Sequence, residues 1–111
     1  MAVAYGSNLA HLNSYRSQAV TALTPGGLLV KTYDVAIAAL SVQDGQRACK
    51  AVASLIDALD FEHAEIAGGL FRLYRYCMEQ IKQGDMAVPT RILTDLRDTW
   101  AQAIEGLLSD V

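Results

Sequence analysis

The sequence predicts an all-α fold, an antiparallel four-helix bundle with an additional short N-terminal helix. Apolar residues recur at helical spacing nearly everywhere, and no run of strict alternation rich in β-branched residues supports a strand. Turn-forming clusters at Thr24-Pro25-Gly26-Gly27, Asp44-Gly45 and Gln83-Gly84-Asp85 cut that pattern into segments. Their shortness places consecutive helices side by side.

The first segment puts Leu12, Tyr15, Ala19 and Leu23 on one side of an N-terminal helix that ends before Pro25. Thr24 suits an N-cap and Pro25 the first helical position, where a missing N–H costs nothing, so the chain restarts there. The next helix is expected to run to about Gln43, with Leu29, Tyr33, Ala36 and Leu40 on one stripe and Val30, Val35 and Ile37 widening it. Asp44-Gly45 closes it, as Asp and Gly favour turns. Ala48, Val52, Leu55 and Leu59 define a third helix, and a break or kink follows around Asp60 to His63.

The fourth helix carries Ile66, Leu70, Leu73, Cys77 and Ile81 on a face, with Phe71 and Tyr74 beside it, and closes at Gln83-Gly84-Asp85. Gly68-Gly69 in its interior costs about 1 kcal/mol per Gly relative to Ala. The expected use of the pair is close approach of another backbone. Val88-Pro89 marks the last restart, into a helix with Leu93, Leu96, Trp100, Ala103 and Leu107.

Composition bounds the function. The 111 residues are 52% hydrophobic with two Pro, which implies one folded domain, 1–111, with residues 1–14 expected as a mobile N-terminal segment. Nine Lys plus Arg against twelve Asp plus Glu leave a net charge of −3 without a block of like charge, which argues against nucleic acid and anionic lipid as partners. No apolar run approaches the roughly 20 residues of a spanning helix. The N-terminus lacks a basic region followed by a long apolar stretch and a cleavage site, so no membrane insertion and a cytoplasmic location are expected. Cys49 and Cys77 are isolated, without the close pairing of a redox or zinc motif, and read as reduced, buried thiols.

Catalytic chemistry finds little support. A carboxylate-bridged metal pair in a bundle needs two Glu-x-x-His motifs and two further Glu residues, whereas the chain has two His in all. Asp60, Glu62, His63 and Glu65 read instead as helix-capping and first-turn residues. His11, His63, Cys49 and Cys77 have no supporting base or nucleophile elbow beside them, and neither glycine pair fits a phosphate-binding loop. No catalytic residue, metal or cofactor is expected. What remains is surface, because a short domain buries a smaller share of its area and the Pro25 helix is apolar around much of its circumference. That area is either partner surface or the scattered apolar exposure normal in monomers.

Three ordered segments carry a family resemblance. The first is Tyr15-Arg16-Ser17-Gln18-Ala19-Val20 leading into Thr24-Pro25-Gly26-Gly27-Leu28-Leu29-Val30-Lys31-Thr32-Tyr33-Asp34-Val35-Ala36-Ile37. The second is Leu59-Asp60-Phe61, then Glu65-Ile66-Ala67, Leu70, Leu73-Tyr74 and Tyr76; the third is Leu96-Arg97-Asp98-Thr99-Trp100. Spanning about Tyr15 to Ala103, they resemble the flagellar secretion chaperones called FliS. The chain departs from that pattern at Gly26-Gly27, where acidic residues are usual, at Thr32, Val35 and Arg75, and in placing Gly68-Gly69 after Glu65-Ile66-Ala67.

The resemblance implies a helical chaperone, not an enzyme, that binds the disordered C-terminal segment of flagellin. It would prevent premature polymerisation and deliver flagellin to the flagellar type III export apparatus. Such a segment folds onto a helical scaffold by laying its apolar face into grooves between helices. The motif positions offered for the groove are Tyr15, Leu28, Leu29, Tyr33, Ile37, Ile66, Leu70 and Tyr74. Of these, Leu29, Tyr33, Ile37, Ile66, Leu70 and Tyr74 stay open to either a core or a groove reading. Pro25 reads as a helix start, Trp100 as a core anchor and Asp34 as a solvated or capping contact. Met1 to Tyr15 is either a lid over the client site, as the family implies, or an ordinary frayed terminus. An export gate protein is a further expected partner, and an isologous homodimer is the expected form without client. The competing reading is a helical-bundle adaptor for another protein.

Overall fold

In the computed structural model, which describes residues 25–109, the chain forms four helices and no strand among those residues. Helix α1 spans Pro25–Ser41, α2 Gly45–Asp57, α3 Ala64–Lys82 and α4 Ala87–Ser109, with a 3-10 turn at Phe61–His63 leading into α3. Helix α1 packs against α2 and α4, α2 against α3, and α3 against α4, which closes the four into a ring. This is the all-α bundle expected, and Pro25 opens α1 as its missing N–H suggests. The additional helix over Leu12 to Leu23 lies outside the described residues.

Each helix end has a local cause. At the end of α1 the Gln43 N–H donates to the Leu40 carbonyl at 3.0 Å and the Asp44 N–H to the Ala39 carbonyl at 2.9 Å. This paired pattern forces Gln43 into the left-handed region, at φ 58°. Asp44 thus closes α1 with its backbone N–H, as the sequence suggested, and with its carboxylate caps α2 by accepting the Arg47 N–H at 3.1 Å. The same pattern ends α3, where Gly84 N–H donates to Ile81 and Asp85 N–H to Gln80, and there the left-handed residue is Gly84, at φ 90°. The Asp85 carboxylate then accepts the Ala87 and Val88 N–H groups at 3.0 and 3.2 Å, which starts α4 two residues ahead of Pro89. Pro89 falls in the first turn, where its lack of an N–H is harmless. The Asp60 carboxylate accepts the Glu62 N–H at 2.9 Å and so nucleates the 3-10 turn.

The core draws Tyr33, Ala36 and Leu40 from α1, Ala48, Val52 and Leu55 from α2, Tyr74, Cys77 and Ile81 from α3, and Leu93 from α4. These are the predicted stripes except at Val35 and Ala103, which are exposed, and there are two further corrections. Ile66 is 66% exposed, its buried place taken by Ala67, and Gly68-Gly69 meets no other backbone. Helix lengths explain both. Helix α2 has 13 residues against 19 in α3 and begins at Gly45, whose Cβ position is 3.2 Å from Ile81 Cγ2. At the same rise per residue, α2 runs out about level with Gly69, and the first turn of α3 projects past it. The close approach occurs elsewhere, at Gly26, where an added Cβ would lie 2.9 Å from Ile104 Cδ1 of α4.

Two polar links tie the ring together. The Tyr33 and Tyr74 hydroxyls hydrogen-bond to each other in the core, joining α1 to α3 across the ring, with ring centroids 6.3 Å apart and tilted by 58°. The half-buried Trp100 side chain of α4 packs beside Tyr33. On the surface, Arg97 Nε of α4 donates to the Asp34 carboxylate of α1 at 2.8 Å. That pair is half exposed and contributes about 0.2–1 kcal/mol. Burial pushes the Tyr33 and Tyr74 phenols above their ordinary value of 10.0, and lifts the Cys77 thiol from 9.0 to about 11.

Three outcomes follow from this packing. Tyr33→Phe leaves the Tyr74 hydroxyl buried without its partner and is expected to cost about 1–3 kcal/mol. Tyr74→Phe should cost a similar amount, and the double Phe variant should cost less than the sum of the two; urea titrations of the three variants check this cycle. Gln43→Gly should raise stability by about 1 kcal/mol by removing the left-handed penalty, seen as a higher melting temperature. Because the folded chain holds the Cys77, Tyr33 and Tyr74 protons more tightly than the unfolded chain, their contribution is complete below the unfolded thiol value of 9.0 and is lost as pH rises through about 11 and beyond. Thermal melts should therefore fall from about pH 9 upward. Cys77→Ala should make the fall between about pH 9 and 10 shallower, leaving there the share of Cys49, whose thiol burial also raises.

Candidate functional site

Helix α1 is apolar on two opposite sides. One side supplies Tyr33, Ala36 and Leu40 to the core, while Leu28 and Val35 on the other remain 57% and 42% exposed. Leu28, Val35 and the exposed Val42, just past the end of α1, are spaced by seven. That spacing lays apolar side chains along one line of a helix, as in the seam of a coiled coil.

The facing part of α2 presents Ala51 and Ser54, with Ala58 just past its end, and their small size leaves low relief beside the larger residues of α1. Two shallow hollows result. One, of about 490 Å³, lies over Gly26, Leu29, Leu55 and Trp100; the other, of about 400 Å³, extends past Val35 and Ala51 to Lys31, Arg47 and Lys50. Both are bordered by Leu28, Thr32 and Ser54, so they form one seam. The two hydroxyls in it are satisfied within their own helices, Thr32 donating to the Leu28 carbonyl at 2.9 Å and Ser54 to the Lys50 carbonyl at 3.3 Å. An apolar guest would therefore bury no unmet hydroxyl there.

The residues named from sequence separate into groups. Leu28 and Leu29 come together in the seam. Ile37 and Leu70 are half-buried against the core, and Ile66 stands exposed on the first turn of α3. Tyr33 and Tyr74 are corrected: both are almost wholly buried, so they line no open groove and serve the core instead. The period that marked them as candidates is the core stripe itself. Tyr15 lies outside the described residues, as does the segment Met1 to Tyr15 with His11.

Sequence reasoning missed Thr32, Ala51, Ser54 and Ala58, and with them the basic side chains around the second hollow. Leu28, Thr32 and Val35 at spacings of four and three were the available signal, a second stripe opposite the first.

The arrangement is suited to binding rather than to chemistry. Burial holds the Cys77 thiol in its unreactive protonated form, and Cys49 is raised for the same reason. Asp60 is occupied in capping, while His63 is exposed at the start of α3 without a side-chain capping bond. Among the described residues no three His, Cys, Asp or Glu side chains gather into a metal site, and no helix is long and apolar enough to cross a membrane.

Comparison with known proteins adds one finding. No curated protein and no solved structure matches the chain. The family model described as "Flagellar protein FliS" matches residues 41–107, more than half of the chain. Inside that span lie the segments around Glu65-Ile66-Ala67 and Leu96-Arg97-Asp98-Thr99-Trp100, whereas Leu28, Leu29, Tyr33 and Ile37 precede it. With an all-α bundle, an open apolar seam and this match over α2 to α4, the chain belongs to the flagellar protein FliS family, a family of flagellar export chaperones.

Proposed function

We propose that this protein is a cytoplasmic chaperone that binds the disordered C-terminal segment of flagellin in the α1–α2 seam. It keeps the segment from polymerising early and hands it to the type III export apparatus, where the export gate protein receives the complex. The observation that carries the reading is the seam: Leu28 and Val35 exposed on a helix whose other side is already core, over a floor that includes Leu29, Leu55 and Trp100. An amphipathic helix laid along it would bury apolar area of order 25 cal/mol per Å². The exposed Ile66 offers a second apolar contact on α3, while Ile37 and Leu70 are half-buried against the core. Without client, the same uncovered area favours an isologous dimer.

Calorimetric titration with a peptide from the C-terminal end of flagellin of the same genome is the test. Saturable binding with a large negative heat-capacity change is expected, as for folding coupled to binding. Leu28→Asp should weaken it at least about tenfold, or 1.4 kcal/mol, with an unchanged melting temperature because Leu28 is exposed. No saturable binding by the folded protein, or full affinity in Leu28→Asp, rejects this site.

A further inference from the structure

Charge is unevenly spread around the seam. Lys31 of α1 and Arg47 and Lys50 of α2 border the 400 Å³ hollow, all three exposed, and no carboxylate lines either hollow. None of the three enters the side-chain ion pairs of the described residues, such as those of Arg97 with Asp34 and Asp98. The three cations are a third of the chain's nine Lys and Arg, on a protein of net charge −3. The charges that line the hollow are therefore all positive, opposite in sign to the net charge of the molecule.

We propose that the α1–α2 seam selects an amphipathic helix whose apolar stripe is flanked on both sides by acidic residues, with Lys31, Arg47 and Lys50 making the selection. This rests on the seam being the client site and adds the chemistry of the client. An apolar floor attracts any apolar stripe, in either direction and at several registers, because burial is non-directional. Cations on both walls remove that freedom. Lys31 stands on the α1 side, while Arg47 and Lys50, three apart, share one face of α2. A helix seated between them meets positive charge on each flank, as flanking charges meet in a coiled coil and fix partner and orientation. A lysine-flanked helix would bury the same apolar area and be repelled, which is how charge discriminates where area does not. The long aliphatic stems of the lysines extend the apolar walls while their ammonium groups stay in water.

The test uses the full chain and two synthetic helical peptides with the same leucine stripe, one flanked by glutamates and the other by lysines. Fluorescence anisotropy at low and at physiological salt should show the glutamate peptide binding roughly tenfold tighter, each of three exposed pairs giving a few-fold. That margin should shrink as salt rises. The combined variant Lys31→Glu, Arg47→Glu and Lys50→Glu should fold normally by circular dichroism and reverse the preference. Equal binding of the two peptides, or a preference that survives the combined variant, overturns the proposal. So does a salt-sensitive dimer of the parent that blocks both peptides in sedimentation, or capture by phosphatidylserine vesicles in place of the glutamate peptide. The outcome is separable from the flagellin reading. Flagellin bound equally by parent and combined variant leaves flagellin as client and removes the acidic flanks; a charge-reversible seam that ignores flagellin does the opposite.

Discussion

The hydrogen bond between the Tyr33 and Tyr74 hydroxyls is the constraint on which the rest of the bundle depends. Each neighbouring pair of helices in the ring is held by apolar contact, which sets separation but tolerates sliding. Two phenols inside the core cannot slide. Each needs a partner, because a buried hydroxyl without one costs about 1–3 kcal/mol, and each is the other's partner. Their meeting fixes the register of α1 against α3 across the ring, and Trp100 brings α4 into the same junction. No buried side-chain nitrogen or oxygen among the described residues is left without a hydrogen bond, so this polar centre orders the core without leaving a frustrated group in it.

That junction clarifies what the family resemblance consists of. Tyr33 and Asp34 belong to one quoted segment, Tyr74 to the second, and Arg97 and Trp100 to the third. In the structure these residues meet each other: Tyr33 with Tyr74 and Trp100, and Asp34 with Arg97. Much of the motif is thus a framework, three pieces of sequence that recognise one another. The seam lies next to it and uses the motif residue Leu28 together with Thr32 and Val35, on the other side of α1. A helix that is apolar nearly all round can give one face to the core and leave the other open.

The fold was legible in sequence because period and punctuation agreed. Pro25, Asp60 and Gln83-Gly84-Asp85 each sit where their backbone chemistry requires, and Leu29, Tyr33, Ala36 and Leu40 lie on the inward side of α1. The site was legible only in part. Leu28 and Leu29 were named, but period cannot separate a stripe facing a neighbouring helix from one facing a future guest, so Tyr33 and Tyr74 were named with them. The exposure of Ile66 and the open space at Gly68-Gly69 depend on α2 stopping short of α3, a relation between two helix lengths and one point of contact that no local pattern contains. The left-handed residue at Gln43 had no signal at all, since glutamine is an uncommon choice for that conformation.

Shallowness is the property of the seam that matters most for a chaperone. Ala51 and Ser54 on α2, with Ala58 just past its end, keep its relief low, and the two hydroxyls bordering it are already bonded within their helices, so what it offers a guest is area and charge in place of a deep pocket. A disordered guest gives up several kcal/mol to become ordered on such a surface, so each contact must add to a small net affinity. That balance permits holding and release by the same surface. A deep, fully enclosed pocket would hold more tightly and let go more slowly, because differences in affinity between related complexes fall mainly on dissociation. The core, by contrast, shows no such moderation: its large side chains are sealed and its polar groups paired. Rigid interior and weakly featured exterior are complementary here, since a scaffold that yielded under its guest would lose the surface on which the guest folds.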